Sequence, residues 1–190
     1  MILGASLLAL SALCADAPVT LDDLKKLAIT CFVPAWLPDG FRLTDVGITS
    51  DDPDEPAGIH CSLPLYSLEY GDGKKATFSV ESAREGIGDR NLLGTEDADE
   101  AEIQSPLGPV YIIYTPKGKE GRKKEIRSNW AKDGNMKAET AVNETAHPVL
   151  GRFHGFTATG ITVAEFTRII QSLHPIKSPP SSPPPTSPAP

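Results

Sequence analysis

His60 stands beside Cys61, and an imidazole next to a thiol is a pairing from which thiolate nucleophiles and metal sites are built. Adjacent residues in an extended segment point to opposite faces, so this pair is read as structural. His147 and His154 flank a short Pro-Val-Leu-Gly stretch. No carboxylate or third nitrogen stands at metal-ligand spacing from them, and both are read as loop histidines. Asp51, Asp52, Asp54 and Glu55, and again Glu96, Asp97, Asp99 and Glu100, offer hard oxygens to calcium. Neither run has the calcium-loop pattern with its central glycine, so both are read as solvated acidic loops.

The chain contains no Gly-x-Ser-x-Gly turn, no His-Glu-x-x-His, no phosphate-cradling glycine loop and no Cys-x-x-Cys. Those absences remove the strongly encoded enzyme classes, and no catalytic, cofactor-binding or metal-ligating residue is assigned. A hydrolase working through two carboxylates stays open, because no linear spacing reveals such a pair. Trp36 and Trp130 are large aromatics expected to pack at the core or its edge, and wherever they are exposed they form a candidate ligand surface. The basic stretch Lys117-Gly-Lys-Glu-Gly-Arg-Lys-Lys124 reads as a solvated hairpin tip. Asn143-Glu-Thr145 fits a glycosylation acceptor, relevant only where the host glycosylates such sites.

The two ends of the chain carry the expectation about compartment. Ile2 to Leu13 is an apolar run rich in Leu and Ala, followed by small residues at Ala12, Ala15 and Ala17, which reads as an export signal over residues 1–15. No Lys or Arg precedes that run, which departs from the usual signal, and the run is too short to span a bilayer. Cys14 has Leu13 before it, where a lipidated cysteine wants a small residue, so lipidation is not assigned. Cleavage near Ala15 leaves Cys31 and Cys61 in an oxidising compartment, where a pair is expected to form a disulfide. Closing that loop of about thirty residues would add roughly 3 kcal/mol in the chain-entropy model. With 18 basic and 25 acidic side chains, net charge -7, the chain opposes binding to nucleic acid.

Between the ends, the patterning predicts one domain over residues 19–175. Thr20 caps a helix with acids in its first turn and Leu24, Leu27 and Ala28 on one face. Pro38-Asp39-Gly40 is a turn, after which Phe41 to Ile48, Leu65 to Tyr70 and Ala76 to Glu81 read as strands, the last two a hairpin across Gly71-Asp72-Gly73. Arg84 to Glu100 reads as a long loop. Val110 to Tyr114 is strongly β-prone, and Ile126 to Ala131 and Met136 to Glu139 flank a second hairpin turn at Lys132 to Asn135. Phe153 to Gly160 adds a last strand. Thr162-Val-Ala-Glu165 is a capping box opening a helix with Val163, Phe166, Ile169, Ile170 and Leu173 on its core face. The expected fold is α+β, a mainly antiparallel sheet packed against the C-terminal helix with a short N-terminal helix at its edge. Residues 176–190 are Pro- and Ser-rich and read as an extended, disordered tail.

Pro34-Ala-Trp-Leu-Pro-Asp-Gly-Phe41, then Tyr70-Gly-Asp-Gly73 with Ala76-Thr-Phe-Ser-Val80, resembles the small C-terminal domain of the MucB/RseB family of periplasmic anti-sigma-factor regulators. The stretch Asn129-Trp130 to Asn135, followed by a glycine-bearing strand and the helix Thr162 to Leu173, is similar to a domain of unknown function that ends many bacterial anti-sigma-type membrane proteins and lipoproteins. The resemblance spans Val33 to Leu173. It implies a non-enzymatic, periplasmic or secreted envelope protein that binds a protein or lipid-like ligand in stress sensing, with no cofactor and no transmembrane span after signal cleavage. A carboxylate-dependent hydrolase and a wall-associated module using the tail as spacer are the alternatives.

Overall fold

A computed structural model of the chain describes residues 18–27, 29–84, 97–115, 120–132 and 153–176. The export segment, the tail from residue 177, the expected strand Met136 to Glu139 and most of the long loop after Arg84 lie outside the described residues. Within them the fold is α+β and mainly antiparallel, as the patterning requires.

Helix α1 (Leu21–Leu24) is much shorter than its apolar pattern suggests. Thr20 and Asp23 close its first turn, with Thr20 N and Oγ1 both donating to Asp23 Oδ2 at 2.9 and 2.8 Å. A single turn has little stability of its own, and the chain then bends so that Leu24, Leu27 and Ile29 all enter the core. The strands are β1 (Phe32–Pro34), β2 (Arg42–Ser50), β3 (Pro64–Gly71), β4 (Thr77–Ala83), β5 (Asp99–Ser105), β6 (Gly108–Thr115), β7 (Glu125–Ser128), β8 (Ala131–Lys132), β9 (Phe153–Thr159) and β10 (Leu173–Pro175), with helix α2 (Val163–Gln171) before the last.

The main sheet has the order β2-β3-β4-β9-β7-β6-β5, and β8 also pairs with β9. Every pairing is antiparallel. Residues of period two fill one face: Leu68 pairs with Val80 and Val80 with Phe156, and Tyr70 pairs with Phe78, which pairs with Ala158. The capping box of α2 forms as expected, Glu165 N donating to Thr162 Oγ1 at 3.1 Å and Thr162 N to Glu165 Oε2 at 2.7 Å. It aims Phe166 at Phe78, ring centroids 5.8 Å apart, and buries Ile169 and Ile170. The sheet's other face carries hydroxyl pairs, Thr77 with Thr159 and Ser79 with Thr157.

Two elements had no signal strong enough to be expected. β5 begins inside the stretch that reads as loop, since Asp99, Glu100 and Glu102 mask an apolar alternation of only Ala101 and Ile103; charged residues are what an edge strand uses to deter further pairing. The two-stranded sheet β1-β10 pairs Phe32 with Pro175 and Pro34 with Leu173, strands too short and proline-rich to announce themselves. Its effect is to bring the segment after β1 against the end of α2, where Ala35 N donates to Ser172 O at 3.0 Å and Trp36 N to Ser172 Oγ at 3.1 Å.

Candidate functional site

Pro38-Asp39-Gly40 turns the chain as expected, Phe41 N donating to Pro38 O at 3.0 Å with Gly40 at φ 83°. That turn, held to α2 through Ser172, forms one wall of an open cleft of about 550 Å³. Its apolar floor is Trp36, Pro38 and Phe41, and its charged rim includes Arg122, Arg168 and Asp72. The Arg168 guanidinium lies 4.1 Å over the Trp36 ring, a cation–π contact that holds both flat groups in place. Arg122 Nη1 donates to Gly160 O at 2.5 Å. Ala164 is exposed at the mouth of the cleft on the α2 side.

Two of the three carboxylates that line the cleft, Asp72 and Glu165, are committed to structure, and the third, Asp39, stands exposed at the turn. Asp72 accepts from Lys74 N at 2.8 Å and Ala76 N at 3.2 Å, and these backbone donors hold it below the usual carboxylate range. Glu165 is engaged in the α2 capping box. The cleft therefore offers guanidinium donors and aromatic faces rather than a poised acid and base. A pair of carboxylates doing hydrolysis needs one of them pushed up, whereas the shifted ones, Asp23, Glu55 and Asp72, all move down.

Trp36 lines this cleft. Trp130, half-buried between β7 and β8, does not line it, and the structure does not bring the two tryptophans together there. Arg168 carries no sequence signal for this cleft, and Arg122 is legible only as part of the basic stretch Lys117 to Lys124. Phe41 was legible only as the start of a strand, and the arginines sit far along the chain from Trp36.

His60 and Cys61 line a second cleft of about 680 Å³, with Val19, Ile48 and Ile59. Cys61 Sγ is 3.7 Å from Thr49 O. Glu55, beside them, accepts from Ser62 N at 2.8 Å and Ser50 Oγ at 2.8 Å. These bonds, with the Ser62 amide foremost, lower its pKa, so it staples the loop instead of serving as a base. The disulfide expected between Cys31 and Cys61 is not formed: both are free thiols. Cys31 is packed under α1 with Sγ at 3.8 Å from Leu24 O, and burial pushes its pKa up to about 12.

His154 is no loop histidine. It sits in β9 on the core face, 0% exposed, because its register opposite Ser82 and Ala131 places it inward. Its Nδ1 is 3.1 Å from the Tyr66 hydroxyl, which accepts from Phe32 N at 2.8 Å, and the Phe32 ring meets its imidazole edge-on at 4.9 Å. The basic loop is also not wholly solvated: Lys123 is 1% exposed, its Nζ donates to Glu120 O at 2.7 Å and lies 5.4 Å over the Tyr114 ring. Among the described residues no group of three or more His, Cys, Asp or Glu side chains is placed to hold a metal ion, and no helix is long and apolar enough to cross a membrane.

No protein-family model matches this chain, and no curated protein matches it in sequence. Among solved structures it is similar to the crystal structure of MucB in complex with MucA(peri), with 22% identity and TM-score 0.32 over 76% of this chain and 36% of that one. A second similarity is to the complex structure of Pseudomonas aeruginosa MucA/MucB, with 19% identity and TM-score 0.31 over 77% of this chain and 36% of that one. The chain spans about a third of the length of each.

Proposed function

We propose that this chain is a non-enzymatic binding domain of the bacterial cell envelope, exported to the periplasm or beyond, that takes a segment of another envelope protein in the Trp36 cleft. The observation that carries this reading is the Trp36–Arg168 stack in an open cleft where two of the three lining carboxylates, Asp72 and Glu165, are committed to backbone and capping bonds. Trp, Tyr and Arg are the residues most enriched among energetic anchors of protein interfaces, and the stack on Trp36 already orders the Arg168 guanidinium. The export reading of residues 1–15 supplies the compartment. The anti-sigma setting comes from the sequence resemblance of Pro34 to Phe41 and Ala76 to Val80, and makes a regulatory peptide or domain the natural partner.

The test is crosslinked capture from the organism's own envelope fraction, run in parallel with wild type, Arg168→Ala and Ala164→Arg. Ala164→Arg places bulk in the cleft from an exposed position and leaves the core alone. A protein captured by the wild type and reduced about ten-fold by both variants supports the reading. Capture indifferent to both variants would overturn it.

A further inference from the structure

We propose that the Trp36 cleft is a polyproline II site and that this chain's own tail, Ser182-Pro-Pro-Pro-Thr-Ser-Pro188, docks there in cis. The inference rests on the reading of the cleft as a binding site and names what first fills it. Polyproline II segments are recognised by grooves lined with aromatic faces, against which pyrrolidine rings lie flat, and the stiffness of such a segment keeps the entropic cost of docking small. Trp36, Pro38 and Phe41 make such a floor, Arg168 fixes the indole from one side, and exposed Ala164 leaves the cleft open on the α2 side.

The topology puts the tail within reach. β10 pairs with β1 so that Pro175 lies opposite Phe32, and Ile176 N donates to Cys31 O at 2.7 Å. Because β10 runs antiparallel to β1, the tail leaves at the Cys31 end and turns back toward Trp36, which stands five positions beyond Cys31 and at most about 18 Å from it at ~3.5 Å per residue. The six residues from 177 to 182 reach about 19 Å as polyproline II at ~3.1 Å per residue, enough to lay the segment from Ser182 onward along the cleft. From Ser178 onward the side chains carry no charge, so the mixed rim of Arg122, Arg168 and Asp72 does not repel them. A short tether gives the tail an effective concentration on the order of millimolar, enough to occupy a site of modest affinity. An outside partner must then displace the tail, and a partner with its own Pro-rich segment is the one equipped to do so.

The test uses the full-length chain with a benzophenone amino acid in place of Thr186, irradiated at low protein concentration and mapped by peptide mass spectrometry. The expected result is an intramolecular crosslink to the segments holding Trp36 to Phe41 or Ala164 to Arg168, weakened about ten-fold by Ala164→Arg. Trp36→Ala, checked by its melting curve, should weaken it similarly. Crosslinks that land elsewhere, form only between molecules, or persist undiminished in Ala164→Arg overturn the proposal. The capture experiment separates the two readings. Partner loss in Ala164→Arg without any cleft crosslink from the tail sinks tail docking and spares the partner site. A cleft crosslink with partner capture unchanged does the reverse.

Discussion

Replacing Tyr66 by Phe removes one oxygen from the interior and leaves the ring in place. That oxygen accepts from Phe32 N at 2.8 Å and lies 3.1 Å from His154 Nδ1. The hydroxyl bonds Phe32 N and His154 Nδ1 together, whichever ring nitrogen carries the imidazole proton, so it ties β1, β3 and β9 through one atom. Tyr66, Phe32 and His154 are 2%, 1% and 0% exposed, so water does not readily replace the missing partner. Leaving the Phe32 amide unsatisfied costs about 1–3 kcal/mol, and losing the bond to His154 about 1 more. Together these give roughly 2–4 kcal/mol. For a domain spanning residues 19–175 this lowers the melting temperature by about 4–16 °C. Urea unfolding of Tyr66→Phe beside Tyr111→Phe, where the tyrosine is 50% exposed, provides the assay. The control should change stability by less than about 0.5 kcal/mol. A Tyr66→Phe loss no larger than the control's, at unchanged m-value, would refute the bridging role of the hydroxyl.

Gly160 has φ 67°, and a Cβ there would lie 3.0 Å from Ala76 Cα and 3.2 Å from Lys75 O, so Gly160→Ala combines left-handed strain with a backbone clash. Chemical denaturation should show a loss of about 2 kcal/mol or more, and a loss under about 0.5 kcal/mol would contradict the geometry. In the native protein Cys61 should react with a small alkylating agent while Cys31, 1% exposed with its pKa near 12, stays unmodified until denaturant is added. Intact mass before and after reductant should be identical, and a reducible pair in the exported protein would reinstate the disulfide expected from sequence. Asp23 is lowered from 3.8 to about 2, first by its bond to Lys26 and then by Thr20. Its folded pKa lies below its unfolded one, so its contribution is present above pH 3.8 and lost as pH falls toward 2. Asp23→Asn should remove that acid-side dependence, as followed by amide exchange of residues 20–24.

The sequence alone carried the capping box, the core-facing helical period, the strand alternation and the Gly40 turn, whose causes lie within a few residues. Thr162 and Glu165 form the capping box that their spacing promises, and Phe166, Ile169 and Ile170 face the core at helical period. Phe78 and Val80 alternate with Thr77 and Ser79 as one-sided strand residues must. The turn at Gly40 follows from Pro38-Asp39-Gly40. These are local hydrogen bonds and periodicities, complete before the chain meets itself. The tertiary structure decided what depends on strand order and register. Arg168 reaches Trp36 only because β1 and β10 pair and Ser172 binds the Trp36 amide. His154 is buried, contrary to its loop reading, because β9 lies between β4 and the β7–β8 segment. Cys31 is sealed beneath α1 as a free thiol, and Lys123 turns inward over Tyr114, although nothing in the basic run around it distinguishes it from its neighbours. The cleft is legible only in part from sequence, since its tryptophan stands in a recognisable turn while its arginines come from segments that only the sheet's closure brings to that turn.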